Sequence, residues 1–176
     1  MHTVCKSVLS TISIIQMELD IDFDFTIIGI NTVVDDYELA YHLNSVLETY
    51  FIRCKMDIDV QNKSNDELSY FSHFVYENVD EMEEWHLISN KYNTENNFSE
   101  KEEVSQDLFS QNNQVTQITK YFIPEKKEVN YLLRIDFIEN KKRIDDLINK
   151  IRSIPAITTA FSIEYNTLRS KRNLIF

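Results

Sequence analysis

The stretch Val129-Asn130-Tyr131-Leu132-Leu133-Arg134-Ile135-Asp136-Phe137 decides the fold. Apolar side chains recur at every second position from its first residue to its last, which predicts a strand with a buried face. Residues 141–153 follow with apolar side chains at helical spacing, so we expect an amphipathic helix with Asn140 as its N-cap. Pro155 ends this helix, and a last strand is predicted over residues 156–165. The C-terminal third is therefore predicted to be strand, helix and strand.

The N-terminal half predicts a second strand, helix and strand. Residues 19–25 alternate strictly between apolar residues and aspartates, and the apolar run continues to Gly29, where a bulge or a close approach is expected. Apolar spacing predicts a helix over about residues 36–51, begun by a capping box at Asp35. Residues 54–60 alternate again and predict another strand.

Further strands are predicted over residues 68–77, 83–92 and 118–123. Residues 93–117 are polar and show no sustained period, which indicates a long mobile loop. Two helices against six or seven strands predict an α+β fold. We expect a two-layer sandwich, in which one mostly antiparallel sheet of six to seven strands carries two helices on one face.

Length and composition fit one domain. A chain of 176 residues with 43% apolar residues can bury a single core, so we assign residues 17–176 to one α+β domain with a mobile polar loop at about 93–117. Residues 1–16 do not match a signal peptide. We expect them to be an N-terminal extension outside the core. Whether translation starts at Met1 or at Met17 stays open. No apolar run approaches the roughly 20 residues that a membrane span needs.

Composition excludes several classes of function. One glycine is too few for the phosphate-binding loops of dinucleotide-binding and P-loop proteins. Two cysteines and four scattered histidines provide neither a disulfide framework nor a zinc site. We therefore assign no catalytic residue, no cofactor and no metal ligand. A cytoplasmic, non-enzymatic protein is expected, although an enzymatic activity stays open.

Charge is unevenly distributed along the chain. Residues 1–116 carry 22 acidic and 6 basic side chains, whereas residues 117–176 carry 7 acidic and 12 basic side chains. A net charge of −11 disfavours binding to nucleic acid or to an anionic membrane, because proteins bind the phosphates of either through lysine and arginine side chains. A basic protein partner fits this chain better.

The aspartates of two predicted strands, 19–25 and 54–60, are the favoured partner-binding surface. If the two strands are neighbours, their carboxylates form one negative face that suits a basic partner. The alternatives are a solvated face that protects an edge strand from aggregation, and a site for a hard cation if further ligands converge. The loop after Pro124 offers a second contact. The partner-binding candidates are Asp20, Asp22, Asp24, Asp57, Asp59, Glu125 and Lys126.

Two histidines, His73 and His86, lie on adjacent predicted strands and could face each other. With Glu77 they would form an acid–base pair, although packing is the commoner role for such residues. Cys54 falls on the apolar side of its strand, where a thiol behaves as a small buried hydrophobe. An aromatic group on these strands lacks interleaved basic residues, so a sheet core is favoured over a base-stacking platform. Its members are Tyr70, Phe71, Phe74, Tyr76 and Trp85.

The segment Ile123-Pro124-Glu125-Lys126-Lys127-Glu128-Val129-Asn130-Tyr131 resembles the signature of the IPExxxVDY family of the Bacteroidetes, with Asn130 in place of the aspartate. The similarity covers most of the chain from Met17 to residues 173–176. It implies a small cytosolic protein with no assigned catalytic residue. Because genes of this family lie beside those of ribonuclease III and pyruvate kinase, it also implies an association with RNA. Physically, the proline sets a turn, and Val129 with Tyr131 begins a buried strand face.

An RNA-associated accessory protein is the alternative function, with phosphate contacts supplied by the basic C-terminal third. The apolar C-terminus, residues 174–176, either packs back onto the sheet or docks a partner. A homodimer formed through an exposed sheet edge is also open. The candidate phosphate contacts are Lys141, Lys142, Arg143, Lys150, Arg152, Arg169, Lys171 and Arg172.

Overall fold

The structure, a computed structural model, describes residues 25–61, 67–96, 116–138 and 140–176. Its helices and strands are β1 (Phe25–Thr32), α1 (Asp36–Leu47), β2 (Ile52–Arg53), β3 (Ile58–Gln61), β4 (Leu68–Phe71), β5 (His73–Asn78), β6 (Glu83–Ser89), β7 (Lys91–Asn96), β8 (Thr116–Tyr121), β9 (Tyr131–Asp136), α2 (Lys141–Arg152) and β10 (Ile157–Ile163). Short 3₁₀ helices span Pro124–Lys126, Tyr165–Thr167 and Lys171–Leu174. The predicted α+β class is confirmed.

Six strands form one antiparallel sheet in the order β10, β1, β9, β6, β5, β2. The stretch that begins at Val129 supplies β9, which lies between β1 and β6. Both helices pack on one face of this sheet, as predicted. The remaining strands form two antiparallel ribbons, β3 with β4 and β7 with β8.

A first core lies between the sheet and the two helices. Its largest contributions from the helices are leucines and isoleucines at helical spacing, which point inward because they share one face of each helix. The buried members include Ile28, Ile30, Leu39, Leu43, Phe74, Trp85, Leu87, Leu133, Ile135, Leu147, Ile148, Ile151 and Ala160.

A second core covers the opposite face of the sheet. β1 and β9 carry apolar side chains on both faces, and Ile27, Ile28, Leu132 and Leu133 are all at most 1% exposed. The two ribbons, the segment after Tyr121 and the C-terminal tail cover this side. Its buried members are Ile27, Phe71, Ile88, Phe122, Ile123, Val129, Leu132, Ile163, Leu168 and Leu174. The tail therefore packs back onto the sheet.

Two of the predicted strands are each divided in the structure. The stretch predicted as 68–77 breaks at Ser72, and the one predicted as 83–92 breaks at Asn90. The part before Ser72, β4, and the part after Asn90, β7, each belong to a ribbon. The other two parts, β5 and β6, belong to the six-stranded sheet. Neither break has a glycine or a proline, the strongest turn signals, and single serine and asparagine residues did not outweigh the apolar pattern around them. β7 and β8 also take up the ends of the predicted loop 93–117, of which 97–115 lies outside the described residues.

The N-terminal helix is shorter than predicted. α1 ends at Leu47 because Glu48 adopts a left-handed backbone with φ 57°. The Asn44 side chain then accepts a hydrogen bond from Phe51 N at 2.7 Å, which turns Phe51 into the first core. The capping-box prediction was wrong, because Asp35 occupies the N-cap position without a side-chain cap hydrogen bond.

Three smaller predictions differ from the structure. The strand expected at 54–60 is reduced to β3, since the chain between Cys54 and Asp57 bends. β9 ends at Asp136, and Phe137 is 63% exposed with a left-handed backbone at φ 65°. Val129 packs in the second core and Tyr131 against the first, so the two do not share a face.

Gly29 marks a close approach. A Cβ built on Gly29 would lie 2.9 Å from Ile163 Cδ1 and 3.1 Å from Val129 Cγ2. The irregularity in the pairing of β1 with β10 lies at Asn31 and Thr32 instead. Of the two alternatives for this glycine, close packing is therefore the correct one.

Asn90 holds the turn around Pro124 in place. This side chain is 0% exposed, accepts a hydrogen bond from Ile123 N at 2.7 Å, and donates to the carbonyls of Lys126 at 2.8 Å and Val129 at 2.9 Å. Ile123 is extended before the proline, as predicted. These three hydrogen bonds satisfy buried backbone groups that would otherwise have no partner to replace water.

We expect Asn90→Ala to lower the free energy of unfolding by about 3 kcal/mol or more, because one donor and two acceptors of the backbone would lose their buried partner. Urea denaturation followed by circular dichroism measures this change. Asn149→Ala is the control, since Asn149 is exposed on α2 and its loss should cost less than about 0.5 kcal/mol. Equal stability of the two variants would contradict the role assigned to Asn90.

Candidate functional site

A cleft of about 530 Å³ opens where the ribbons leave the six-stranded sheet, beside the start of α1. Its walls combine carboxylates with aromatic rings. The lining carboxylates are Asp35, Asp36 and Asp57, and the lining tyrosines are Tyr37, Tyr70, Tyr92 and Tyr131. The rest of the lining is Ser72, Ser89, Lys91 and Asn93. With three carboxylates and one lysine, the cleft is negative.

The start of α1 supplies two of the acids. Asp35 is exposed, and its carboxylate is not used to cap the helix. Asp36 is half-buried and accepts a hydrogen bond from Tyr37 N at 2.7 Å. The positive end of the helix dipole favours anionic side chains at this position, which helps α1 to tolerate two adjacent carboxylates.

Tyrosines form the aromatic part of the cleft. The rings of Tyr70 and Tyr92 meet edge to face, with centroids 6.2 Å apart at 79°. Tyr131 O–H donates to Val34 O at 2.9 Å. Burial raises the pKa of Tyr131 to about 12, and the charges of Asp36 and Asp35 add to the increase. Tyr131 is therefore an un-ionised, anchored wall residue that lies within the field of both carboxylates.

The third carboxylate already has a partner. Asp57 forms an ion pair with Arg53, and these side chains are 33% and 40% exposed. Among the predicted partner-binding residues that the structure describes, Asp57 lies in the cleft. Sequence reasoning missed Asp35 and Asp36 as site residues, because an aspartate before a helix is ordinarily explained as a cap.

The other predicted partner-binding residues lie elsewhere. Asp59 is exposed on β3, opposite Tyr70 in register, whereas Asp20, Asp22 and Asp24 lie outside the described residues. In its described part, β1 pairs with β9 and β10, and β3 pairs with β4. The condition that the two acidic strands are neighbours is therefore not met where the structure describes them.

Glu125 contacts the C-terminal tail. Its Oε1 accepts a hydrogen bond from Ser170 N at 2.7 Å. Partial burial would raise the pKa of Glu125, but hydrogen bonds from the backbone N–H groups of Glu125, Ser170 and Arg169 lower it. The Lys126 carbonyl accepts from Asn90, as described above. Glu125 thus joins the Pro124 turn to the tail.

The eight basic candidates do not form one surface. The five on α2 lie on the helix side of the sheet, because Leu147 and Ile151 belong to the first core. Arg169, Lys171 and Arg172 lie in the tail on the opposite side, where Leu168 and Leu174 belong to the second core.

Arg143 and Arg152 each have a partner within the protein. Arg143 forms an ion pair with Glu83, whose side chain is 2% exposed. Arg152 Nε donates to Ala160 O at 2.7 Å. Removing either would affect the fold as well as any phosphate contact.

His73 and His86 do face each other, with His73 Nε2 and His86 Nδ1 3.0 Å apart. The Phe176 ring lies 5.3 Å from the His73 ring and 5.2 Å from the His86 ring. Carboxylates of Glu84 and Asp136 lie 3.5 Å and 4.0 Å from His86 Nε2, whereas Glu77 pairs with Glu84 across the strands.

The environment keeps both histidines neutral. Burial, together with the charges of Arg53 and Arg134, lowers the pKa of His73 to about 4. Burial likewise lowers the pKa of His86 to about 3, together with Arg134 and His73. Arg134 also donates to Leu174 O at 2.6 Å and lies 4.9 Å from the Phe176 ring centroid. The histidine pair therefore anchors the tail, and Phe176 covers it.

Cys54 differs from its prediction, because it is half-buried and not in either core. Burial raises the pKa of the Cys54 thiol, although Arg53 opposes the increase. A thiol with a raised pKa is a weak nucleophile.

The predicted aromatic group is divided among three places: Phe71 lies in the second core, Tyr70 lines the cleft, and Phe74, Tyr76 and Trp85 pack in the first core.

In the parts of the chain that the structure describes, no three histidine, cysteine, aspartate or glutamate side chains are placed to share a metal ion. Across the same residues, no helix combines the length and the apolar character needed to cross a membrane. Comparison with known protein families, with curated proteins and with solved structures finds no match to this chain.

We expect stability to fall as the pH decreases below 6.5. The unfolded state then binds protons at His73 and His86, whereas the folded state does not until the pH nears 4 and 3. The loss by pH 5 is of the order of 2 kcal/mol, reduced from the ideal value because His73 is only half-buried. Urea denaturation at pH 7, 6 and 5 measures the slope.

The double variant His73→Gln/His86→Gln should flatten this slope between pH 7 and pH 5. Asn149→Gln, which changes an exposed residue of α2 that does not titrate, should leave it unchanged and is the control. A wild-type slope that persists in the double variant would show that other groups cause the pH dependence.

Proposed function

We propose that this protein is a non-enzymatic, cytoplasmic interaction protein whose cleft binds a lysine- or arginine-bearing segment of a basic protein partner. The observation that carries the proposal is the cleft of about 530 Å³ in which three carboxylates and four tyrosines converge. Neither the acids nor the aromatic rings alone would support it. Together they match the two properties of a lysine or arginine side chain, its positive charge and its apolar stem.

Electrostatics supports a cationic ligand. Asp35 is exposed and uncommitted to capping, and Asp36 lies beside it, so a cation entering the cleft meets two carboxylates at once. The net charge of −11 extends this attraction over the whole molecule and would increase the rate of association with a basic partner. Binding should weaken as salt increases, since exposed charges are screened.

The tyrosines favour a ligand side chain with a long apolar stem. A cation over the face of a tyrosine ring gains about 0.5–1 kcal/mol at an exposed site. The edge-to-face arrangement of Tyr70 and Tyr92 leaves ring faces in different directions, so a stem can lie along one ring while its charge points toward the acids. Arginine and lysine bury their stems in this way.

RNA binding has less support than a basic protein partner. The eight candidate phosphate contacts are divided between the two sides of the sheet, and Arg143 and Arg152 have partners within the protein. A phosphate backbone would be held by cations that lie along one groove or stripe.

We expect Asp35→Asn/Asp36→Asn to weaken the binding of a labelled peptide of alternating arginine and serine about five- to tenfold. Two of the three cleft carboxylates lose their charge in this variant, while the amides keep their shape. Fluorescence anisotropy at about 0.1 M salt measures the affinity, and the wild-type affinity should fall at about 0.5 M salt.

Asp145→Asn/Asp146→Asn is the matched control, because it removes the same charge from exposed positions on α2. Its affinity should stay within about twofold of the wild type. Equal weakening by the two double variants would mean that the peptide responds to net charge alone, and the cleft would then not be the binding site.

A further inference from the structure

Arg53 lies on β2, the short edge strand of the sheet, and contacts Asp57, which lines the cleft. One of its guanidinium nitrogens donates to Cys54 O at 2.9 Å and His73 O at 3.2 Å. The other donates to Asp57, and the guanidinium carbon lies 5.5 Å from the centroid of the Phe74 ring. The backbone carbonyls therefore aim this guanidinium at a carboxylate of the cleft.

The pair of Arg53 and Asp57 resembles the contact expected of a ligand. A guanidinium sits on a cleft carboxylate, with an aromatic ring beneath it. Both side chains are partly exposed, so water and an incoming cation can reach the pair. An ion pair between partly exposed side chains contributes little free energy, so a ligand cation can compete for the carboxylate.

We propose that Arg53 is an internal competitor that occupies Asp57 and thereby limits the affinity of the cleft for cationic segments. This inference rests on the proposed function, because it concerns the same cleft. Arg53 neutralises the charge of Asp57 through its contact with Oδ1, so a ligand cation meets the full charge of Asp57 only when the guanidinium is displaced. Asp35 and Asp36 line the cleft without such an ion pair to Arg53. The apparent affinity is reduced by the fraction of molecules in which Asp57 is occupied.

The competition also sets which ligands gain most from the cleft. A segment with a single basic residue can be held by Asp35 and Asp36 and leave Arg53 in place. A segment with two basic residues gains the full charge of the third carboxylate, Asp57, when it displaces Arg53. The difference in affinity between such segments should therefore depend on Arg53.

Arg53→Gln tests the proposal with the same labelled arginine–serine peptide. The affinity should increase about two- to fivefold, the range expected when an exposed ion pair is removed from competition. Lys55→Gln is the matched control, because Lys55 is exposed two residues away and its loss changes the net charge equally. It should raise the affinity less than Arg53→Gln does.

A double-mutant cycle separates competition from other effects. In an Asp57→Asn background, Arg53→Gln should no longer increase the affinity, because the carboxylate for which Arg53 competes is gone. A second readout uses the wild type: the NMR signal of the Arg53 side-chain N–H should shift on titration with the peptide, as Asp57 is released. This readout does not depend on how well the Arg53 variant folds.

The outcomes distinguish this inference from the proposed function. Equal gains from Arg53→Gln and Lys55→Gln, or a gain that persists in the Asp57→Asn background, would overturn the role of Arg53 and leave the cleft as a binding site. A peptide affinity that does not change in Asp35→Asn/Asp36→Asn would overturn the proposed function itself. An Arg53 signal that stays unchanged at saturating peptide would also contradict displacement.

Discussion

The central strands of this protein are apolar on both faces, and the rest of the structure depends on covering the two sides at once. Ile27 and Ile28 on β1, and Leu132 and Leu133 on β9, are neighbours in sequence that point in opposite directions and are all buried. The two helices cover one side only. The chain must therefore provide a second layer, which it builds from ribbons, one turn and the tail.

The cleft results from that second layer. Where β4 joins β5 at Ser72 and β6 joins β7 at Asn90, the ribbons leave the sheet and open a gap beside α1. Because buried Asn90 fixes one of these departures through three side-chain hydrogen bonds, it also positions the Tyr92 wall two residues later. Packing of the second core and the shape of the cleft are thus coupled through the same junctions.

The C-terminal tail is held by polar as well as apolar contacts. Arg134 pairs with Asp136, donates to the Leu174 carbonyl and lies between the rings of Phe25 and Phe176. Two neutral histidines complete this group, since burial and nearby arginines oppose their protonation. The histidines that the sequence suggested as an acid–base pair are therefore explained by packing of the chain terminus.

The sequence by itself determined the α+β class, the two helices on one face, the Asn140 cap and the turn at Pro124, because periodicity, capping and proline are local properties. Only the tertiary structure decided the breaks at Ser72 and Asn90, which no glycine or proline marks. It alone placed Asp35 and Asp36 near Asp57, about twenty residues away in sequence. Such proximity depends on which strands pair, and long-range pairing leaves no signal in the spacing of one sequence.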